Sequence, residues 1–149
     1  MKRDLIRKIT SRKAAVGIIG LGYVGLPLAV AIAKSGYMTT GIDIQPCKTE
    51  MVNRGESYIN DVDSSELNEI VGNGKLKASC TYEPVRHLDC VVICVPTPLD
   101  EHFQPDISYI VHATEEIGKY IHRGMLIILE STTYPGTTEE VVKPILEAT

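Results

Sequence analysis

Six residues near the start of the chain, Gly20-Leu21-Gly22-Tyr23-Val24-Gly25, carry the spacing Gly-x-Gly-x-x-Gly. The chemistry such a pattern serves is phosphate binding by backbone. The first glycine permits a tight turn, the second lets the main chain approach a pyrophosphate, and the third lets a helix press against a strand. A helix opening at that point offers free N–H groups and the positive end of its dipole to the phosphates. Context makes the motif specific: it follows a short apolar run, Ala15–Ile19, and leads into an apolar helical pattern. The alternative is a turn that packs and binds nothing.

Asp43 stands 18 residues after Gly25, at the end of a second apolar run. A carboxylate there can accept hydrogen bonds from adenosine ribose hydroxyls and would repel a 2′-phosphate, so NAD is the expected cofactor rather than NADP. Lys48, five residues on, is placed to sit over the adenosine portion, or else is a solvated helix residue. Two further segments hold candidate contacts. Val95-Pro96-Thr97-Pro98-Leu99 leaves a third apolar run, with two prolines that stiffen the exit and present Thr97. Glu130-Ser131-Thr132-Thr133-Tyr134-Pro135-Gly136-Thr137-Thr138 collects hydroxyls ahead of a helix, where Glu130, Ser131 and Thr132 could face a ribose, a phosphate or a water. Thr137 and Glu140 have the spacing of a capping box for that helix.

The elements that must position these residues alternate. Strands are predicted over 15–19, 39–44, 76–81, 90–95 and 125–130. Helices are predicted over 23–34, 47–54, from Ser64 or Ser65 to 71, from an Asp106 cap to 121, and from Thr137 toward 146. Alternation of this kind implies an α/β fold: a Rossmann-like, doubly wound parallel sheet of about five to six strands with helices on both faces. In the order 3-2-1-4-5, strands one and four meet at the switch point, where loops flank a ligand crevice. Length and composition agree with one such domain: 149 residues, 44% hydrophobic and 23% charged.

The net charge of −4 gives no indication of a nucleic-acid partner. Residues 1–13 carry six basic side chains against Asp4, a net of +5, and read as a helical arm with Leu5, Ile6 and Ile9 as its apolar stripe. The domain proper is taken as 14–149. The uncharged stretch 14–33 imitates a membrane segment, but four glycines and Pro27 interrupt it, and a strand–turn–helix explains it. No membrane partner is expected. Cys47, Cys80, Cys90 and Cys94 show no metal-ligand spacing, and no metal site is predicted. Cys90 and Cys94 read as small buried hydrophobes on one face of a strand, and free thiols suit a reducing cytoplasm. His87, His102, His112 and His122 are scattered and read as surface or satisfied histidines.

Taken in order, Gly20–Ala29, Asp43, Val95–Leu99 and Glu130–Glu140 resemble the N-terminal domain of the UDP-glucose/GDP-mannose dehydrogenases. The Glu-Ser-Thr-Thr-Tyr-Pro-Gly-Thr-Thr run is most similar to the UDP-N-acetylglucosamine 6-dehydrogenase branch. The resemblance implies oxidation of the C6 alcohol of a nucleotide sugar to a carboxylate with two NAD⁺, and full-length homo-oligomers. It implies that Tyr23 and Val24 touch the pyrophosphate region, Asp43 and Lys48 the adenosine end, and Thr97 and Thr132 the nicotinamide half. Thr132 also resembles a residue that helps hold a catalytic water. The family's nucleophilic cysteine, catalytic lysine and sugar contacts lie in later segments that nothing in this chain matches. The expectation is therefore a chain that binds NAD and meets a UDP-sugar only through absent domains. A stand-alone NAD-binding sensor or partner module, and the N-terminal domain of another β-hydroxyacid-type dehydrogenase, remain as alternatives.

Overall fold

The computed structural model describes residues 2–99, 101 and 104–149, so the expectation for His102 lies outside the described residues. Five strands form one parallel sheet: β1 (Ala15–Ile19), β2 (Met38–Ile42), β3 (Leu76–Ser79), β4 (Cys90–Ile93) and β5 (Leu126–Leu129). Their order is β3-β2-β1-β4-β5, the order anticipated, with β1 and β4 adjacent at the centre. Six helices accompany them: α1 (Lys2–Thr10), α2 (Gly25–Lys34), α3 (Pro46–Asn53), α4 (Ser64–Gly72), α5 (Ser108–Gly118) and α6 (Lys143–Glu147).

The central strands have no solvent face, which is why β4 is an unbroken apolar run. On one face, Val16, Ile18, Cys90, Val92 and Leu76 pack against Leu26, Ala29 and Val30 of α2, Val52 of α3 and Leu67 of α4. On the other, Ile19, Ile42, Val91 and Ile93 pack against Ala113 and Ile117 of α5. Cys90 and Cys94 do share the first face and are both buried. The uncharged stretch 14–33 is β1, the glycine turn and most of α2. Among the described residues no helix is long and apolar enough to cross a membrane.

Several boundaries differ from expectation for local reasons. Strand β2 ends at Ile42, so Asp43 is the first residue beyond it and is free to turn its carboxylate back. Helix α2 starts at Gly25 rather than Tyr23, since Tyr23 and Val24 belong to the turn. Asp63, not Ser64 or Ser65, caps α4: its carboxylate accepts from the Ser65 hydroxyl and from the Ser65 and Glu66 N–H groups, which together hold its pKa down. Helix α5 stops at Gly118, three residues short of 121. A 3₁₀ turn over Glu83–His87, with Pro84 in its first turn, was not anticipated. The Thr137–Glu140 capping box does not form. Thr137 is itself helical, and its hydroxyl donates to the Tyr134 carbonyl instead. A π-helical turn, Thr138–Val142, runs from there into α6.

The sheet's two edges are treated differently. At β3, the Asn53 side-chain amide donates to the Ala78 carbonyl (2.9 Å) and accepts the Ala78 N–H (2.8 Å), covering that peptide. At β5, Leu126 and Ile128 remain 39% and 38% exposed. Over β2 and β3, the α5 side of the sheet is roofed only by the 3₁₀ turn. A polar hollow of about 470 Å³ lies there, floored by Thr40, Lys77 and Ser79. No candidate site residue lines it, although the carbonyl of Ser79 on its floor accepts the Asp43 N–H at 3.2 Å.

The basic arm is helical and docks on the body. Leu5 and Ile9 pack against the α2-side core, while Ile6 is exposed and drops out of the expected stripe. Lys8 pairs with Asp89, whose other oxygen accepts the Ala15 N–H at 2.9 Å. Burial pushes the Asp89 carboxyl up, but the Lys8 and Ala15 hydrogen bonds outweigh it and hold the pKa below the usual aspartate value. A depressed carboxylate stabilises the fold above its unfolded pKa, near 4, and the contribution is lost as the pH falls through the folded value. Asp89→Asn should therefore speed amide exchange and proteolysis of α1 at neutral pH, as acidification below about pH 4 does for the parent chain. Equal protection of α1 in both proteins at neutral pH would show that the ion pair does not hold the arm.

Candidate functional site

The glycine turn is fixed from several directions. The Gly20 N–H donates to the Ile42 carbonyl at 2.7 Å, and Gly20 has φ +91°, a conformation other residues resist. The Leu21 N–H donates to Asp43 Oδ2 at 2.8 Å, and the Leu21 carbonyl accepts the Tyr58 hydroxyl at 2.7 Å. The Leu21 side chain is fully buried against Gly41. A Cβ on Gly25 would lie 1.7 Å from the Gly20 carbonyl oxygen, so only glycine lets α2 start this close to the turn. Around a Cβ on Gly22 there is nothing within 4 Å.

That open space belongs to a cleft of about 400 Å³ at the carboxyl ends of β1, β4 and β5. It brings together all the residues singled out from sequence except Gly25, which is buried behind the turn. Gly20, Gly22, Tyr23 and Val24 line it with Asp43, Lys48, Val95, Pro96, Thr97, Glu130, Ser131 and Thr132. Parallel pairing explains the assembly: Cys94 N–H donates to the Ile19 carbonyl and Glu130 N–H to the Ile93 carbonyl, so the three strand exits end in line. Ser131 stitches two of them, its hydroxyl donating to the Val95 carbonyl at 2.8 Å. Thr97 and Thr132 line the same cleft, one on the exit of β4 and the other on the exit of β5.

Helix α2 meets the cleft with no side-chain cap and no acidic residue in its first turn. The Leu26 N–H donates to the Gly22 carbonyl and the Leu28 N–H to the Val24 carbonyl, both at 3.1 Å, and Pro27 carries none, so what this helix start offers an anion is chiefly the positive end of its dipole. Asp43 is 8% exposed and doubly engaged, Oδ1 accepting the Gln45 N–H at 3.0 Å. Lys48 Nζ lies 3.5 Å from Asp43 Oδ2, so the cation faces the carboxylate instead of solvent.

A smaller, mostly apolar hollow of about 110 Å³ adjoins the cleft and shares Gly20, Asp43, Lys48, Val95 and Pro96 with it. Ile44, Tyr109 and His112 stand in its walls, with Ile19, Ile42, Gln45 and Tyr82 beside them. Sequence reasoning passes over Ile44 and Tyr109 and reads His112 as a surface or satisfied histidine. Ile44 stood at a strand end, and Tyr109 and His112 were spaced as an ordinary helix face. His122, by contrast, is a satisfied histidine, with Nε2 2.9 Å from the Leu88 carbonyl.

Cys94 also lines the cleft. Burial, aided by the charge of Glu130, pushes its thiol up to about 11, so it stays protonated at neutral pH and is no nucleophile. Among the described residues no group of three or more His, Cys, Asp or Glu side chains is placed to hold a metal.

Residues 14–149 match the NAD binding domain of the UDP-glucose/GDP-mannose dehydrogenase family. The chain belongs to that family. It is 40% identical over 132 residues to the UDP-N-acetyl-D-glucosamine 6-dehydrogenase of Pseudomonas aeruginosa, covering 89% of this chain and 30% of that protein. It is 37% identical over 129 residues to the UDP-N-acetyl-D-mannosamine dehydrogenase of Pyrococcus horikoshii, covering 86% of this chain and 31% of that protein. Among solved structures, a ternary complex of GDP-mannose dehydrogenase from Pseudomonas aeruginosa superposes with a TM-score of 0.83 at 31% identity. That superposition covers 89% of this chain and 32% of the other. The chain thus spans about 30% of the length of the curated relatives it matches. Its cofactor is NAD.

The cradle fits that cofactor: an uncapped helix start, a glycine whose Cβ side is empty, and a buried carboxylate at the end of β2. The glycines separate folding from binding. Gly22→Val should fold with a near-parental thermal midpoint and lose NAD⁺ binding, whereas Gly25→Ala should lower the midpoint because its Cβ overlaps a carbonyl. Calorimetric binding by Gly22→Val at parental affinity would show that the turn does not carry the pyrophosphate.

Proposed function

We propose that this chain is the cofactor-holding lobe of an NAD-dependent dehydrogenase that oxidises the C6 alcohol of a UDP-sugar to a carboxylate. The observation that carries the reading is the single cleft in which the uncapped start of α2, the Asp43 carboxylate and the exits of β4 and β5 converge. Gly22, Tyr23 and Val24 face the pyrophosphate there. Asp43 and Lys48 take the adenosine ribose, and the adjoining hollow beside Ile44, Tyr109 and His112 accepts the adenine ring. Thr97 and Thr132 stand toward the nicotinamide half, Thr132 serving to place a water.

When bound, NAD⁺ supplies the hydride acceptor, two equivalents being reduced per alcohol carried to carboxylate while water provides the second oxygen. This chain's residues bind and orient that acceptor. The sugar nucleotide and the nucleophile belong to protein outside these 149 residues: Cys94, the cysteine that lines the cleft, is buried with a raised thiol pKa. The residue set, with domain limits at 1–13 for the arm and 14–149 for the lobe, is part of the same proposal. The relatives' names support a UDP-N-acetylhexosamine as the sugar nucleotide, and the free thiols support a reducing, cytoplasmic setting.

Titration of the chain with each dinucleotide tests the cofactor half of the reading. NAD⁺ should bind more tightly than NADP⁺, because the 2′-phosphate would approach Asp43. Lys48→Ala should widen the gap by removing the cation that offsets that carboxylate. Equal affinity for both dinucleotides in the Lys48 variant would contradict the role of Asp43. Mixed with NAD⁺ and UDP-N-acetylglucosamine, the chain alone should form no NADH; turnover would overturn the division of labour and place the nucleophile within these residues.

A further inference from the structure

The cleft contains one support that the motif does not include. We propose that Tyr58 is a positioning residue for the cofactor site: its hydroxyl holds the Leu21 carbonyl so that the Gly22 N–H is aimed at the pyrophosphate. The inference rests on the cofactor reading above and deepens it.

A trans peptide is planar, and its carbonyl and N–H point in opposite directions. The carbonyl of Leu21 and the N–H of Gly22 belong to one such plane. Tyr58 takes the carbonyl at 2.7 Å on the protein side of the turn. The Gly22 N–H therefore points the other way, where Gly22 lines the cleft, and it donates to no group among the described residues. The preceding plane is set independently, by the Leu21 N–H on Asp43 at 2.8 Å. With both planes set, the turn has one conformation. Without the Tyr58 hydroxyl, the Leu21–Gly22 plane loses its own hydrogen bond and can rotate between its tethered neighbours, the Leu21 N–H on Asp43 and the Gly22 carbonyl on the Leu26 N–H, exchanging a donor at the phosphate for a carbonyl oxygen.

Tyr58 is built to hold still. The Ser57 hydroxyl donates to the Ile59 carbonyl and accepts the Ile59 N–H, closing a local turn about Tyr58. The Ser57 N–H donates to Ser64 Oγ at the start of α4. Ile59 and Val62 are buried in the same core cluster as Leu21. Burial, with the negative fields of Asp43 and Cys47, raises the phenol pKa, so the proton that makes the bond is retained.

The substitution Tyr58→Phe keeps the ring and removes only the hydroxyl. The expected result is a roughly three- to tenfold weaker NAD⁺ affinity by calorimetry, the weight of one neutral hydrogen bond. The Leu21 carbonyl carbon and the Gly22 amide, the two ends of the freed plane, should move in NMR chemical shift, and the Gly22 amide should gain mobility, while amide exchange in β4 and the thermal midpoint stay near parental. Unchanged affinity would overturn the proposal. So would weakened affinity accompanied by faster exchange throughout the core, which is the signature of a residue that merely stabilises the fold. If the parent chain fails to bind NAD⁺, the cofactor reading fails on its own. The Leu21 carbonyl and Gly22 amide signals of the Tyr58→Phe chain then decide Tyr58 separately: selective shifts and mobility at that plane support the clamp, and parental signals refute it.

Discussion

The Asp43 carboxylate accepts two backbone N–H groups, one from Leu21 on the glycine turn and one from Gln45 on the way into α3. The cleft depends on that double acceptance. An aspartate at this place is usually credited with reading a ribose. Here it is first a structural tie, 8% exposed, between the end of β2 and the turn that follows β1. Leaving the Leu21 N–H buried without its acceptor would cost about 1–3 kcal/mol, so the carboxylate and the turn require each other. Lys48 adds a charge that offsets the buried anion without displacing either N–H.

The rest of the architecture serves to bring other exits up to this tie. Parallel pairing puts the ends of β1, β4 and β5 in line, and Ser131 fastens two of them. Gly25 allows α2 to begin against the turn, so its uncapped N-terminus opens into the cleft. The chemistry that results is binding and orientation. Under the proposed function the cleft, with its Cys94 thiol held protonated, serves to position an acceptor.

Much of this was legible in the residues because the relevant signals are local. Glycine spacing, an acidic residue after the second strand, prolines after the fourth and hydroxyls after the fifth all lie within short segments, and strand order follows from handed crossovers. What escaped was non-local or competitive. Tyr58 meets Leu21 across 37 positions, with no pattern in its own loop to mark it. Tyr109 and His112 present as a helix face until β2 and β4 bring their exits alongside. Thr137 had the spacing of a cap, yet its hydroxyl found the Tyr134 carbonyl first, and a π turn replaced the expected helix start. Asp63 took the cap from Ser64 and Ser65 because it is the extended residue just before the helix, with a charged oxygen facing the Ser65 and Glu66 N–H groups.

Two hollows of similar size compete for any ligand: the cleft at the strand exits, about 400 Å³, and the polar hollow over β2 and β3, about 470 Å³. Size does not separate them; the backbone donors and the buried carboxylate do. A residue-resolved NMR titration of the labelled chain with NAD⁺ decides between them. The account predicts shifts at the amides of Gly20 to Gly25, Asp43 to Lys48, Thr97 and Thr132, with Lys77, Ser79 and Arg86 unmoved. Shifts centred on Lys77, Ser79 and Arg86, with the glycine turn silent, would contradict it.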